Sequence, residues 1–308
     1  MDLIEQLQND LPLTRHEALV LLLTAAYRYK LHYIEKRHGR GQRLIAQPTA
    51  EVKILQRWAV ARYVVLLPVH KAATAYRAGA SIREHAAIHA NNYYLLKLDF
   101  QNFFPSIRGE HFLKHLKSHL EISDVDAGLL VKLLFRYDRL SKDYVLSIGA
   151  PSSPIVSNTI MHEFDRALEN YCSDHDIVYS RYADDLALST SRPKQLNEAY
   201  HFVQQLCMDL RYPSLSLNEE KTVFTSKKFR RQLTGLILTN EGKPSLGREK
   251  KRLIRSMAHH YSNGNLAPDQ VSHLRGLLAF AHSIEPLFVQ TITKMIGDQA
   301  YHHLMRGQ

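Results

Sequence analysis

Three aspartates stand at the ends of apolar segments that have the composition of β-strands. Asp99 ends one such segment, and Asp184 with Asp185 interrupts a second, 184 − 99 = 85 residues further along the chain. Carboxylates gathered at one place repel each other and raise each other's pKa, so they require cations. Two Mg²⁺ ions about 4 Å apart would neutralise such a cluster and support in-line phosphoryl transfer.

The elements around these aspartates follow the order β-α-β-β-α-β once two inserted helices are set aside. Their expected bounds are a strand at 93–99, inserted helices at 110–120 and 124–135, a helix after the breakers Gly149, Pro151 and Pro154 with Ile160, Phe164 and Leu168 on one face, a hairpin at 177–182 and 186–190, a helix at 193–210 and a strand at 221–225. In this ferredoxin-like arrangement the first strand lies antiparallel beside the third, which brings Asp99 to Asp184 and Asp185.

The N-terminal third has mainly helical patterns. Thr14 and Glu17 form a potential capping box ahead of an apolar run at 18–26, and a second helical pattern covers 50–67. A basic, glycine-containing segment between them predicts an exposed, positively charged turn or hairpin that ends at Pro48. Its basic residues are Lys36, Arg37, His38, Arg40 and Arg43.

The composition is that of a globular protein, and its positive charge would suit a polyanionic partner. The chain has 308 residues, of which 45% are hydrophobic, so it can bury a substantial core. The 40 Lys and Arg outnumber the 30 Asp and Glu, and 40 − 30 gives a net charge of +10. Charge alone leaves an ordinary basic protein as an equal alternative to a nucleic-acid-binding one.

Cysteine usage and hydropathy indicate a cytoplasmic protein. Cys172 and Cys207 have no short spacing typical of a zinc site or a disulfide framework, which fits a reducing compartment. The apolar run at 18–26 is too short to span a bilayer, and acidic rather than basic residues precede it. We expect no signal peptide and no membrane span.

The tetrapeptide Tyr-Ala-Asp-Asp at 182–185 resembles the active-site box of reverse transcriptases. Taken alone, an acidic pair in a hairpin is more often a solvated turn. The segment Leu-Asp-Phe-Gln-Asn-Phe-Phe-Pro-Ser-Ile at 98–107 is similar to the first catalytic motif of the bacterial retron enzymes in that family. The resemblance implies that the three aspartates are catalytic. The positions it assigns to metal binding are Asp99, Phe100, Asp184 and Asp185.

Two further motifs extend the resemblance toward the incoming nucleotide. Phe104 would be an aromatic gate that collides with a ribose 2′-OH, while the alternative is that Phe103 and Phe104 are both core. The segment Gly-Ala-Pro-Ser-Ser-Pro at 149–154 resembles the motif that contacts substrate and template, where Gly149 allows a close backbone approach. The family usually has Gln before that glycine, whereas this chain has Ile148, which puts the glutamine contact in doubt.

Three short segments resemble further family elements. In Leu-Asn-Glu-Glu-Lys-Thr at 217–222, Lys221 would lie near the leaving pyrophosphate, although a solvated lysine is the common alternative. Thr234 and Gly235 match the Val-Thr-Gly element of retron enzymes, whose hairpin would grip the primer end. His85 and His89 fall in a retron box that normally reads Asn-Ala-x-x-His. They could be metal ligands, but no third ligand is evident and a structural role is favoured.

Basic residues complete the resemblance. Arg43 would contact the triphosphate of the incoming nucleotide, and Lys53 would reach phosphate or template. Near the C terminus, a helical pattern packs Leu253, Ile254 and their neighbours beneath a basic face. This face would bind duplex phosphates, and the alternative is a solvated basic surface. Its nucleic-acid-binding residues are Arg248, Lys250, Lys251, Arg252 and Arg255; the apolar residues beneath them are Leu253, Ile254, Met257 and Tyr261.

The resemblance implies an α+β right-hand polymerase with fingers, a ferredoxin-like palm and a helical thumb. The expected divisions are N-terminal helices and fingers at 1–92, a palm at 93–240 with a fingers insertion around 108–147, and a thumb at 241–308. Such an enzyme uses Mg²⁺ and dNTPs to copy a structured noncoding RNA into branched multicopy single-stranded DNA. These systems often act with a co-encoded effector protein in defence against phage.

Three alternatives remain at this point. The first is another bacterial reverse transcriptase of the group II intron or diversity-generating type, although no maturase or endonuclease domain follows the short thumb. The second makes cyclic dinucleotides on a similar palm, but the hairpin lacks a Gly-Gly-Asp/Glu-Glu-Phe signature. The third is a catalytically silent RNA-binding scaffold, against which the intact aspartates argue.

Overall fold

A computed structural model describes residues 2–35, 41–77 and 79–307. The chain begins with α1 (Leu3–Asp10), α2 (Arg15–Thr24), the strands β1 (Tyr29–Glu35) and β2 (Gln42–Pro48), α3 (Ala50–Arg62) and α4 (Ile82–Ala90). The capping box at the start of α2 is confirmed, because Thr14 and Glu17 exchange hydrogen bonds. The hairpin is also confirmed by the antiparallel pairing of β1 with β2, while residues 36–40 at its tip lie outside the described residues.

The central sheet has the predicted ferredoxin-like topology. Its elements and inserted helices are β3 (Tyr94–Asp99), α5 (Phe103–Ser106), α6 (Gly109–His119), α7 (Asp124–Leu134), β4 (Arg136–Asp138), β5 (Asp143–Val145), α8 (Ser153–Ile160), α9 (His162–Asp174), β6 (Val178–Tyr182), β7 (Asp185–Thr190), α10 (Gln195–Asp209) and β8 (Val223–Ser226). The strand order is β6-β7-β3-β8, with every neighbouring pair antiparallel. The one helix predicted after the breaker cluster is two helices, which meet at Met161.

The two faces of this sheet bury different cores, because side chains alternate along each strand. Leu96 and Leu98 of β3 belong to the larger core, which includes side chains of α7, α9 and α10. Leu95 points to the other face and joins a second core with α4 and the C-terminal helices. Lys97 and Asp99 share the face of Leu95, where they line a cavity of about 320 Å³.

The C-terminal part packs on the second core. It comprises the strands β9 (Arg231–Leu233), β10 (Leu236–Leu238) and β11 (Pro244–Ser245) and the helices α11 (Arg248–Ser262), α12 (Pro268–Ile284), α13 (Pro286–Ile296) and α14 (Asp298–Arg306). A two-residue turn of Thr234 and Gly235 joins β9 to β10, with φ of 46° and 82°. The predicted tight hairpin is therefore present. Within the described ranges, none of the helices combines the length and apolar composition that a bilayer span requires.

Candidate active site

The sheet brings the three predicted aspartates together. Asp99 at the end of β3 stands directly opposite Asp185 at the start of β7 in the antiparallel register. Next to this pair, the backbone N–H of Phe100 donates to the carbonyl of Asp184 at 3.2 Å, and the N–H of Asn218 donates to the carbonyl of Asp99 at 2.8 Å. The spacing of the carboxylates is thus fixed by backbone hydrogen bonds on both sides of β3.

The turn that carries Asp184 is a two-residue hairpin. Tyr182 pairs with Asp185, so Ala183 and Asp184 form the loop between β6 and β7. Ala183 has φ of 59°, in the left-handed region that residues with a Cβ seldom adopt. The local conformation is therefore unfavourable for alanine and depends on the contacts around the turn.

Burial and mutual repulsion favour the protonated carboxyls in the metal-free site. Burial first, and then the charges of Asp184 and Asp99, raise the pKa of Asp185 to about 7, against the opposing charge of Lys97. The pKa of Asp184 is likewise raised by burial and by Asp99, while Lys221 and Arg43 oppose the shift. A cation bound at this position would relieve the repulsion.

Lys221 already supplies one positive charge to the cluster. Its Nζ donates to Asp99 Oδ1 at 2.7 Å from a short 3₁₀ turn, Glu219–Lys221. Carboxylate oxygens are the donors that Mg²⁺ prefers, so the chemistry of the set fits this ion. As the side chains stand, however, no three Asp, Glu, His or Cys among residues 2–35, 41–77 and 79–307 converge on one metal position. Lys221 contacts only one of the two carboxylate oxygens of Asp99.

Gly149 lies where the segment before α8 meets β2. Its φ is 115°, and a Cβ built on it would lie 2.9 Å from the carbonyl oxygen of Ala46 in β2. The N–H of Ala46 also donates to the carbonyl of Ile148 at 2.8 Å. The group that approaches Gly149 closely is therefore the backbone of β2. Ile148 contributes its backbone carbonyl to this contact, and that carbonyl would be the same if the residue were the glutamine that is usual in the family.

The other predicted nucleotide-binding residues occupy different surroundings. Arg43 on β2 is near enough to Asp184 for its charge to oppose the rise in that pKa. Phe103 is buried in the core, whereas Phe104 is only partly buried and packs against that core. Lys53 is half-buried on α3, and no contact in the described part of the chain joins it to the aspartates.

The retron box is an internal polar network. His89 is fully buried, and its ring nitrogens pair with the hydroxyls of Ser189 and Ser180, each at 2.7 Å. His85 Nδ1 lies 2.9 Å from the hydroxyls of Thr74 and Ser180. Burial lowers the pKa of His85 to about 4 and, with the charge of His85, that of His89 to about 3. Two neutral histidines thus tie α4 to β6 and β7, consistent with the structural interpretation.

The basic residues of α11 do not form one uniform face. Lys251 pairs with Glu285 at 2.6 Å and is only about a quarter exposed. Lys250 lies over the ring of Phe280, and Arg255 over that of Phe288.

The two remaining cations of this helix, Arg248 and Arg252, are exposed. Leu253 was predicted to pack beneath the basic face, and this is wrong, because its side chain is 48% exposed. One residue corresponds to about 100° of helix rotation, so Leu253 cannot share the inward direction of the fully buried Ile254.

Three residues near the aspartates were missed by the sequence analysis. Lys97 lines the cavity two residues before Asp99, and strand alternation could have identified it. Tyr76 has φ of 61° and is 44% exposed, with its pKa raised by burial and by Asp184. Arg181 is fully buried directly before the Tyr-Ala-Asp-Asp turn. No sequence pattern indicates the positions of the last two.

Comparison with known proteins identifies the class of enzyme. The family described as "Reverse transcriptase (RNA-dependent DNA polymerase)" matches residues 34–239. The Retron Ec83 reverse transcriptase of Escherichia coli is 41% identical over 276 residues, covering 89% of this chain and 88% of that protein. The Retron Ec86 reverse transcriptase of Escherichia coli is 30% identical over 267 residues, covering 86% and 79%. The chain therefore belongs to the bacterial retron reverse transcriptases and is an RNA-directed DNA polymerase.

A solved structure supports the fold separately. The apo telomerase of Candida tropicalis aligns with 91% of this chain at a TM-score of 0.53 and 11% identity. The chain spans about 60% of the length of that protein. This likeness concerns the fold alone, and it agrees with the predicted right-hand polymerase of α+β class.

Proposed function

We propose that this enzyme copies part of a cognate structured noncoding RNA into DNA, leaving branched multicopy single-stranded DNA. The observation that carries the proposal is the pairing of Asp99 with Asp185 beside the Asp184 turn. Membership of the retron reverse transcriptases supports an RNA template. By resemblance to that family, synthesis begins from a guanosine 2′-OH of the RNA.

The proposed catalytic residues are the three aspartates. Together with Phe100 they would hold two Mg²⁺ ions, a role supported by the raised pKa values of Asp184 and Asp185. Bound Mg²⁺ supplies positive charge for the attacking hydroxyl and the leaving pyrophosphate. Lys221, already beside Asp99, would donate a proton or a positive charge to the pyrophosphate after releasing that carboxylate.

The proposed dNTP site lies between β2 and the palm. Arg43 would bind the triphosphate, which its electrostatic effect on Asp184 supports. Phe104 would exclude a ribose 2′-OH, and its partial burial leaves part of the ring available for that contact. Gly149 would shape the pocket through its contact with β2, and Lys53 would reach phosphate or template.

The proposed nucleic-acid contacts belong to the C-terminal part. The Thr234-Gly235 turn would grip the primer end, and the basic residues of α11 other than Lys251, which pairs with Glu285, would face the RNA–DNA duplex. We assign the fingers to 1–92 with the insertion at 108–147, the palm to 93–240 and the thumb to 241–308. In the cytoplasm, the enzyme would work with a co-encoded effector protein against phage.

The decisive experiment compares the purified protein with an Asp184→Asn, Asp185→Asn variant. Incorporation of labelled dNTPs is measured on a primed RNA template and on the RNA of the neighbouring locus, each with Mg²⁺. We expect the rate of incorporation to fall about 10³-fold or more in the variant, because both proposed metal ions depend on these carboxylates. Measurable and equal incorporation by the two proteins on either RNA would refute the assignment, as would inactivity of the wild type on both RNAs.

The defence role is tested in cells. Phage resistance of the intact locus is compared with that of the same locus carrying the double variant. Resistance should disappear with DNA synthesis. Unchanged resistance in cells that make no branched DNA would contradict the defence role while leaving the polymerase assignment intact.

A further inference from the structure

The guanidinium of Arg181 lies directly beneath the catalytic turn. Arg181 and Asp165 are both fully buried, with Nε and Nη2 donating to the two carboxylate oxygens of Asp165 at 2.8 and 2.6 Å. The remaining nitrogen, Nη1, donates to Asn158 Oδ1 at 3.1 Å and to the carbonyl oxygen of Ala183 at 3.0 Å. One side chain therefore connects α8, α9 and the turn that carries Asp184.

The backbone of Arg181 is fixed as firmly as its side chain. Its N–H donates to the carbonyl of Ala72 at 2.7 Å, and its carbonyl accepts from the N–H and hydroxyl of Thr74 at 2.8 and 3.0 Å. Asn158 adds a further link through Nδ2, which donates to the carbonyl of Ala75 at 2.9 Å. The base of the hairpin is thus held on the side away from β7.

This support is needed because of the conformation of Ala183. A left-handed φ of 59° is unfavourable for alanine, so an isolated turn would populate other conformations. A charge-assisted hydrogen bond to the Ala183 carbonyl favours the one in which the next residue, Asp184, stands beside Asp99. The fork of arginine can bind Asp165 with two nitrogens and still reach Ala183, whereas a lysine ammonium is a single point of donation.

We infer that Arg181 is a positioning residue that sets the place of Asp184 for divalent-cation binding. The inference rests on the proposed catalytic role of the aspartates. Its rival is a buried ion pair that only stabilises the fold, as many such pairs do. The two accounts differ in one measurable respect. Positioning predicts weaker metal binding by protein that is still folded, whereas fold stabilisation predicts a lower melting temperature and unchanged metal binding.

The test compares Arg181→Lys with Arg136→Lys. Arg136 is also buried and paired, with Asp138 at 3.0 Å, but its partners lie in the β4–β5 hairpin away from the turn. Binding of Mn²⁺ is measured by electron paramagnetic resonance without nucleic acid, and the Mg²⁺ concentration for half-maximal dNTP incorporation is measured separately. We expect both values to rise about tenfold in R181K and to stay within about twofold of wild type in R136K.

Folded R181K protein that binds Mn²⁺ as wild type does would overturn the inference. If R181K does not fold, Asn158→Ser carries the test, because it removes one partner of Nη1 and keeps the ion pair. Weaker Mn²⁺ binding by folded N158S protein would support positioning, and unchanged binding would overturn it. Failure of the proposed function would look different, since Asp184→Asn, Asp185→Asn would then bind Mn²⁺ and incorporate dNTPs as wild type does.

Discussion

The carboxylate cluster of the palm and the basic helix α11 of the thumb carry opposite charges. They differ in how far the protein itself compensates those charges. In the palm, Asp184 and Asp185 remain in mutual repulsion while backbone hydrogen bonds and Arg181 fix their positions. In α11, Lys251 is neutralised by Glu285 and two neighbouring cations rest on aromatic rings.

The difference shows how each region is suited to its proposed partner. A site for small, hard cations gains from rigid carboxylates whose charge Lys221 compensates only in part, because the cation supplies the rest. A surface for a long duplex can use part of its charge to hold its own helices together, since phosphate binding depends on the remaining exposed cations. Four predictions test this contrast, from the largest expected effect to the smallest.

The first prediction concerns Lys221, the cation that touches the carboxylate cluster. Lys221→Ala should lower kcat about 10²-fold, because a positioned proton donor or charge at the leaving group would be lost. Single-nucleotide incorporation under saturating dNTP measures the effect. Lys228→Ala, at an exposed position of the same region, is the control and should retain wild-type kcat. An unchanged kcat in K221A would show that Lys221 only compensates the charge of Asp99.

The second prediction concerns the backbone contact between fingers and palm. Gly149→Ala should destabilise the protein by about 2 kcal/mol, because its φ of 115° is strained with a Cβ and the carbonyl of Ala46 blocks the added methyl. Gly128→Ala in α7 is a matched control with open space around it. This control should stabilise the helix by about 0.5–1 kcal/mol. Urea unfolding measures both, and equal effects would show that the contact is unimportant.

The third prediction uses the raised pKa of Asp185. Between its ordinary value of 3.8 and about 7, the folded state holds a proton that the unfolded state has lost, so stability falls as pH rises through this window. Asp185→Asn removes that loss. In EDTA, the melting temperature of the variant relative to wild type should therefore be higher at pH 8 than at pH 5. For a chain of 308 residues, the difference should be about 1.5 °C per kcal/mol of relieved repulsion.

Added Mg²⁺ provides the control for the third prediction. It should raise the melting temperature of the wild type more at pH 8 than at pH 5, because the carboxylates must be deprotonated to bind it. A melting-temperature difference between variant and wild type that does not change with pH would show that the repulsion is absent.

The fourth prediction separates the two kinds of cation on α11. Arg248→Gln with Arg252→Gln should reduce the slope of log affinity against log salt for an RNA–DNA duplex by about 1–2, as expected for two lost phosphate contacts. Lys251→Gln should leave the slope unchanged and lower the melting temperature, because Glu285 loses its partner. If the double variant and Lys251→Gln changed the salt slope equally, Lys251 would bind the duplex as the exposed arginines do.

Much of this molecule follows from its sequence because local patterns fix the sheet. The order of strands and helices predicts that β3 lies beside β7, and this alone brings Asp99 to Asp185. The Thr234-Gly235 hairpin also follows from local residue types. Such features depend on residues that are close in the sequence, so the periodicity and the turn residues of each segment are enough to predict them.

Other features depend on contacts between segments far apart in the sequence. The need for Gly149 arises from Ala46 in β2. The neutralisation of Lys251 arises from Glu285, between α12 and α13, and the role of Arg181 from Asp165. Each partner is an ordinary residue in its own segment. The outward direction of Leu253 is missed for a related reason, because the position of the core around α11 is set by α12 and α13.

The register between β3 and β7 sets the distance between Asp99 and Asp185 by backbone pairing and not by the length of the chain between them. The stretch from α6 to β5 leaves the sheet after Asp99 and precedes α8 and α9, whose Asn158 and Asp165 hold Arg181, so an exposed loop of this stretch can lengthen without moving either aspartate. The tip of the β4–β5 hairpin, where Leu140 is 94% exposed, lies within that stretch. The fold therefore offers an insertion site there for an affinity tag or a fused protein.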